Sequence, residues 1–153
     1  SVMSTTGDPD VGRPTDEARD LLLTPGSTQR DQAIELHLAG KKVWGSPGHV
    51  DDALEREFAG EVFDRACRPA GIGRQFKASR ADRSRTERLR LLHVPTLVIH
   101  GDRDTLIDIS GGLRTAEVIP NARFIEVNGM GHDYPEYFWP NLVSAVRKHC
   151  QNI

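Results

Sequence analysis

Two short apolar runs in the sequence each end in a glycine turn that is followed by residues capable of acid–base chemistry. Residues 96–100 stop at a glycine and then present Asp102 and Asp104, and residues 123–127 lead through a second glycine-rich turn to His132. Continuous apolar runs bounded by turn residues predict strands buried on both faces, as in parallel sheets. Active sites in open α/β sheets lie beyond the carboxyl ends of the strands, so an acid and an imidazole are expected to meet there.

Asp104 and His132 form the preferred acid–base pair. A carboxylate beside a histidine fixes the tautomer of the ring and stabilises the imidazolium that forms when the ring takes a proton. Their spacing of 28 positions leaves room for one crossover helix and one strand, and Gly131 allows the loop to turn tightly before His132.

Two other aspartates remain candidates for the acid. Asp102 is the second choice, and its alternative role is to cap the turn that follows the strand. Asp108 is the third choice, and it is expected near the cap of a helix that begins at about Ser110. Residues 100–104 also contain potential metal ligands, but no second cluster of ligands accompanies them, and a metal site is not predicted.

The remaining elements predict an α/β fold with a helical insert. Helices are expected to open at Thr15, Ser27 and Asp51 and to cover about 70–81, without an intervening strand. The predicted organisation is a core strand and loop at 1–14, a helical cap at 15–80 and an α/β core at 81–153. A strand at residues 1–6 joins the two apolar runs, which gives about three parallel strands with flanking helices.

Composition excludes several classes of partner. The chain has 153 residues, a mass of 17.0 kDa, a formal net charge of −2 and a pI near 6.3, so no overall positive field attracts nucleic acid. The arginines between 80 and 90 alternate with Asp82 and Glu87 and predict a solvated helix face. No apolar run is long enough to span a bilayer, Cys67 and Cys150 have no metal or disulfide spacing, and a cytoplasmic location is expected.

Three segments together resemble the C-terminal part of the α/β-hydrolase family. They are Val-Pro-Thr-Leu-Val-Ile-His-Gly-Asp-Arg-Asp at 94–104, Ile-Pro-Asn-Ala-Arg-Phe at 119–124 and Gly-Met-Gly-His-Asp at 129–133. The resemblance implies that Asp104 is the triad acid, that His132 is the base and that no cofactor is needed. Among the members of the family, the chain looks closest to small-ester hydrolases of the aclacinomycin methylesterase type.

The sequence departs from the family in having no Gly-x-Ser-x-Gly motif. The segment most similar to this motif, Gly45-Ser46-Pro47-Gly48, has the wrong glycine spacing and lies between predicted helices. We therefore expect the nucleophile to lie outside the chain and the chain alone to be inactive. With a serine nucleophile, the resemblance implies hydrolysis of a small carboxylic ester. With an aspartate, it implies an epoxide hydrolase or haloalkane dehalogenase.

A non-catalytic domain is the alternative hypothesis. About three parallel strands leave a sheet edge and an apolar face without a neighbour, and such surfaces bind other chains. The expected partner is a complementary N-terminal half or a second copy of the chain.

Overall fold

A computed structural model describes residues 5–151, with the backbone alone at residue 80. It contains seven α-helices, a parallel pair of strands and one short 3₁₀ helix, Glu136–Phe138. In chain order, the helices and strands are α1 (Asp16–Leu22), α2 (Arg30–Trp44), α3 (Asp52–Arg65), α4 (Pro69–Ala81), α5 (Thr86–Leu89), β1 (Leu97–Gly101), α6 (Ile109–Val118), β2 (Arg123–Val127) and α7 (Trp139–Gln151).

The two strands pair in parallel, as the sequence predicts. Leu97 lies opposite Arg123 and Gly101 lies opposite Val127, so the strands end together at one edge of the sheet. Helix α6 connects them, which is the crossover that parallel strands require. The third predicted strand falls on residues 1–6, of which 1–4 lie outside the described residues, and Thr5 and Thr6 are not in a strand.

Side-chain caps fix the starts of three helices where the sequence predicts them. Thr15 caps α1, Asp51 caps α3 and Asp108 caps α6, each by accepting a hydrogen bond from a main-chain N–H of the first turn. Helix α2 begins at Arg30 rather than at Ser27. The Ser27 hydroxyl accepts a hydrogen bond from the N–H of Gln29, which holds a turn before the helix starts.

The arginine-rich region is helical over a shorter span than expected. Helix α4 ends at Ala81 and α5 covers only Thr86–Leu89. The break occurs because the main-chain N–H of Arg85 donates to the carbonyl of Thr6 at 2.7 Å. Acidic neighbours pair with the arginines, as in the ion pair of Arg88 with Asp82, so this face is mixed in charge.

Apolar side chains pack into two small clusters. Ile34 and Leu38 of α2 pack with Ala59 of α3. Val127 at the end of β2, Met130 in the loop that follows and Phe138 in the 3₁₀ helix form a second cluster. Many large apolar side chains remain exposed, among them Leu54 and Phe58 of α3, Ile72 of α4, Leu91, Val94, and Val143 and Val146 of α7. No helix among residues 5–151 is both long and apolar enough to cross a bilayer.

Asp8 ties the N-terminal loop to the rest of the described chain. Its carboxylate accepts hydrogen bonds from the hydroxyls of Ser84 and Thr86 and from the guanidinium of Arg114 on α6. These donors, the Ser84 hydroxyl first, lower the pKa of Asp8 from 3.8 to about 2. The carboxylate therefore stabilises the fold above pH 3.8, and this contribution is lost as the pH falls toward 2.

We expect Asp8→Asn to lower the free energy of unfolding at pH 7 by about 1–2 kcal/mol, because the ionised acceptor is lost. Urea unfolding at a series of pH values measures this difference, which should shrink between about pH 4 and pH 2. Asp10→Asn is the control, since the Asp10 side chain is 87% exposed and its ion pair with Arg13 is weak. If the difference in unfolding free energy between wild type and Asp8→Asn does not change with pH, the stabilising role of the ionised Asp8 carboxylate is contradicted.

Candidate active site

The loops after β1 and β2 pack directly against each other. A Cβ atom at Gly101, the last residue of β1, would lie 2.1 Å from the carbonyl oxygen of Met130, so this contact requires glycine. The N–H of Arg103 donates to that same carbonyl at 2.9 Å. The parallel register therefore brings together the two segments that carry the predicted acid and histidine.

Asp104 is held rigidly by its own loop. Its Oδ1 accepts hydrogen bonds from the main-chain N–H groups of Leu106 at 2.9 Å and Ile107 at 2.8 Å. The side chain is only 5% exposed, and its Oδ2 lies 2.7 Å from Nδ1 of His132. One carboxylate oxygen is thus engaged with the backbone. The other lies against the His132 ring and 3.5 Å from Nε2 of His100, which is also 2.8 Å from the carbonyl oxygen of Ile107.

This contact fixes the protonation pattern of the His132 ring. An ionised carboxylate can only accept, so Nδ1 carries the hydrogen and donates it to Asp104. The neutral ring then has its lone pair on Nε2, for which residues 5–151 supply no hydrogen-bond partner. With the side chain 30% exposed, Nε2 is available as a base.

The other two candidate acids have structural roles. Asp102 accepts a hydrogen bond from the N–H of Gly129 at 2.6 Å, so it holds the turn after β2 rather than contacting His132. Asp108 caps α6, and its hydrogen bond with Ser110 lowers the pKa of its carboxyl group. Of the three aspartates, Asp104 is the one whose carboxylate lies within hydrogen-bond distance of the His132 ring.

The loop that carries His132 is bonded to the end of α2. The N–H of His132 donates to the carbonyl of Trp44 at 2.6 Å, and the N–H of Gly131 donates to the hydroxyl of Ser46 at 2.9 Å. Ser46 in turn donates to Asp133 at 2.6 Å. Sequence reasoning missed these partners, because the contact joins segments that lie more than 80 residues apart, and no local pattern signals it.

Ser46 is unsuited to act as a nucleophile. It is completely buried, and its hydroxyl both donates to Asp133 and accepts from Gly131. A serine nucleophile needs a base within hydrogen-bond reach and an exposed Oγ. The structure therefore agrees with the sequence argument against the motif at residues 45–48.

A cleft of about 850 Å³ lies between residues 10–15, the end of α2 and the loop after β1. Asp104 and Thr105 form part of one wall, and Lys41 and Gly45 form part of another. Positive and negative side chains both line it, so the cleft has no dominant charge. Within the described part of the chain, no group of three His, Cys, Asp or Glu residues is placed to hold a metal ion.

Known proteins similar to this chain share its fold. No family model matches the chain. The non-heme chloroperoxidase CPO-A1 of Kitasatospora aureofaciens is 42% identical over 48 residues, which are 31% of this chain and 18% of that protein. The esterase RhEst1 from Rhodococcus sp. ECU1013 is 26% identical with a TM-score of 0.63, covering 90% of this chain and 48% of the esterase.

A second solved structure extends the similarity to nearly the whole chain. The meta-cleavage product hydrolase CumD from Pseudomonas fluorescens IP01 is 21% identical with a TM-score of 0.59, covering 96% of this chain and 50% of CumD. The chain thus spans about half the length of the solved structures that it matches. The chain has part of the α/β-hydrolase fold. The narrower resemblance to aclacinomycin methylesterases stays a prediction.

We expect Gly131→Ala to destabilise the protein by about 1–3 kcal/mol. A Cβ atom at this position would lie 2.5 Å from the carbonyl carbon and oxygen of Gly45, and main-chain atoms cannot move aside as a side chain can. Urea unfolding measures the change. Gly73→Ala in α4 is the matched control, because its Cβ meets nothing within 4 Å and alanine favours the helix. Equal stabilities of the two variants would contradict the close approach of the loops.

Proposed function

We propose that this chain supplies the acid and the base of an α/β-hydrolase that cleaves a small carboxylic ester. Asp104 is the acid and His132 is the base. The observation that carries the proposal is the 2.7 Å hydrogen bond between His132 Nδ1 and Asp104 Oδ2, with Nε2 left available. The similarity of the chain to the esterase RhEst1 supports an ester as substrate.

In the proposed reaction, Nε2 of His132 takes the proton of the nucleophile as it attacks the ester carbonyl. Asp104 stabilises the imidazolium that results, because its charge lies against Nδ1. The imidazolium then protonates the departing alkoxide, which leaves an acyl-enzyme. Water attacks the acyl group with His132 again as base, and the acid product and the free nucleophile are released.

We propose that the nucleophile lies outside these 153 residues. The sequence has no Gly-x-Ser-x-Gly, and the hydroxyl of Ser46 is buried and engaged in hydrogen bonds. A serine gives ester hydrolysis, whereas an aspartate gives epoxide or haloalkane hydrolysis. Side chains and water suffice for each of these reactions, and no cofactor is invoked.

We assign residues 15–80 to a cap above the site, residues 1–14 to the segment that enters it and residues 81–153 to the core. The cap exposes large apolar side chains, including Leu54 and Phe58 of α3 and Ile72 of α4. Exposed apolar surface of this kind is typical of a lid that contacts an apolar substrate or another part of the fold. This favours a substrate with an apolar acyl or alkyl group.

Hydrolysis of p-nitrophenyl esters by the natural polypeptide that contains this chain tests the proposal. We expect His132→Ala and Asp104→Asn each to lower kcat by about 10³-fold or more, since the base or its orienting acid is lost. His93→Ala is the matched control, because His93 is exposed and lies outside the proposed site. Turnover that survives His132→Ala unchanged would refute the role of His132.

A non-catalytic domain that binds another chain is the second candidate. The observation in its favour is a set of exposed apolar side chains within residues 81–153: Leu91, Val94, and Val143 and Val146 of α7. In this alternative, those side chains are covered by a complementary N-terminal half or by a second copy of the chain.

Light scattering and denaturing mass spectrometry of the protein from its natural source separate the two candidates. The enzyme proposal predicts a polypeptide, or a co-purifying chain, that carries a strand, the nucleophile turn and a helix. A single 17.0 kDa species that forms a dimer and does not hydrolyse esters favours the binding domain instead.

A further inference from the structure

Ser46 bridges the two sides of His132. Its side chain is fully buried, its hydroxyl donates to Asp133 Oδ1 at 2.6 Å, and it accepts from the N–H of Gly131 at 2.9 Å. The residues before and after His132 are thereby bonded to the same hydroxyl. A buried hydroxyl with both its donor and its acceptor engaged has little freedom to rotate, so the bridge has one geometry.

Main-chain contacts reinforce this bridge. The N–H of His132 donates to the carbonyl of Trp44 at 2.6 Å, and the N–H of Ser46 donates to Asp133 Oδ1 at 2.9 Å. Three consecutive residues of the histidine loop are therefore each bonded to the segment 44–46. The backbones touch here, because a Cβ atom at Gly131 would lie 2.5 Å from Gly45.

Charged neighbours keep Asp133 in place. Its side chain is 10% exposed, and its Oδ2 lies 3.4 Å from the ammonium group of Lys41 on α2. Lys41 also lies 3.0 Å from Glu55 of α3, which contacts His37 at 2.7 Å. A carboxylate so little exposed is stable only with such partners, so the network ties the orientation of Asp133 to both helices.

We propose that Ser46 and Asp133 are positioning residues for His132. They hold the loop so that Nδ1 of the ring meets Asp104 and Nε2 remains open, and they touch no reacting atom themselves. The inference deepens the proposed function and rests on the role given there to His132.

The loop needs this support because its own backbone is permissive. Gly129 has a φ of +83°, and Gly131 is a second glycine next to His132. Asp104 is fixed by the N–H groups of Leu106 and Ile107, so the acid is held independently of the histidine loop. The bonds to Ser46 supply the restraint that two glycines remove.

The test is the tautomer of the His132 ring, read from the ¹⁵N signals of Nδ1 and Nε2 in the 153-residue chain and assigned by their loss in His132→Gln. We expect Ser46→Ala to lower the ratio of the Nδ1–H to the Nε2–H tautomer about five-fold, because two hydrogen bonds to the loop are lost. Unchanged ring signals in this variant would overturn the proposal.

Asp133 provides a second comparison that does not depend on the folding of Ser46→Ala. Asp133→Asn keeps an oxygen that accepts from Ser46, so its tautomer ratio should stay within about two-fold of wild type, whereas Asp133→Ala should behave like Ser46→Ala. Equal changes in the tautomer ratio in Asp133→Asn and Asp133→Ala would show that the hydrogen bond from Ser46 to Asp133 does not position His132.

A matched control separates positioning from general loss of stability. Thr86→Ala also removes a buried hydroxyl, the one that donates to Asp8 at 2.7 Å, but it lies away from the histidine loop. It should lower stability without changing the His132 signals. A change in the ring signals as large as that in Ser46→Ala would mean that destabilisation alone moves the ring, and would contradict the proposal.

Kinetics of the natural polypeptide distinguish failure of this inference from failure of the proposed function. We expect Ser46→Ala to lower kcat about ten-fold with KM within about two-fold, since a misplaced base slows the chemical step. Full activity in Ser46→Ala together with loss in His132→Ala overturns only the positioning role. Full activity in His132→Ala overturns the proposed function, while the ring signals still report on Ser46.

Discussion

The parallel pairing of β1 with β2 is the constraint on which the site depends. Because the strands end in register, at Gly101 and Val127, the loops that follow them emerge side by side. The two loops can pack so closely only because Gly101 has no Cβ atom to meet Met130. The contact between Asp104 and His132 is thus a consequence of strand register and of one missing side chain, rather than of attraction between the two groups alone.

Features that depend on local sequence could be predicted. Strand β2 has the bounds that its apolar run indicates, and the starts of α3 and α6 follow from Asp51 and Asp108, which cap them. The proximity of Asp104 and His132 also follows from sequence, because parallel strands with polar groups at their carboxyl ends allow few other arrangements. Capping side chains indicate the helix starts, and the parallel connection of neighbouring strands places their carboxyl ends at one edge of the sheet.

Features that depend on contacts between distant segments could not be predicted. The helix expected across the arginines is broken because the main-chain N–H of Arg85 donates to the carbonyl of Thr6, which precedes helices α1 to α4 in the sequence. The same applies to Ser46 and Asp133. Nothing in the sequence around either residue indicates their hydrogen bond, which forms only in the folded chain. Asp102 shows an intermediate case. The sequence predicts that Asp102 caps the turn after its own strand, β1, but the turn that it holds is the one after β2.

The hydrogen bonds at Ser46 also restrict how helix α2 can move relative to the loop that carries His132. Residues 131–133 are bonded to segment 44–46, so moving the end of α2 displaces the loop that carries His132. A motion of the helices that keeps the His132 ring in place must therefore leave this segment fixed. Helix α4 meets that requirement best, because none of its described residues is buried and Ile72 is 66% exposed. The end of α2 is thus joined by hydrogen bonds to the loops after both strands, through Thr105 as well as Ser46.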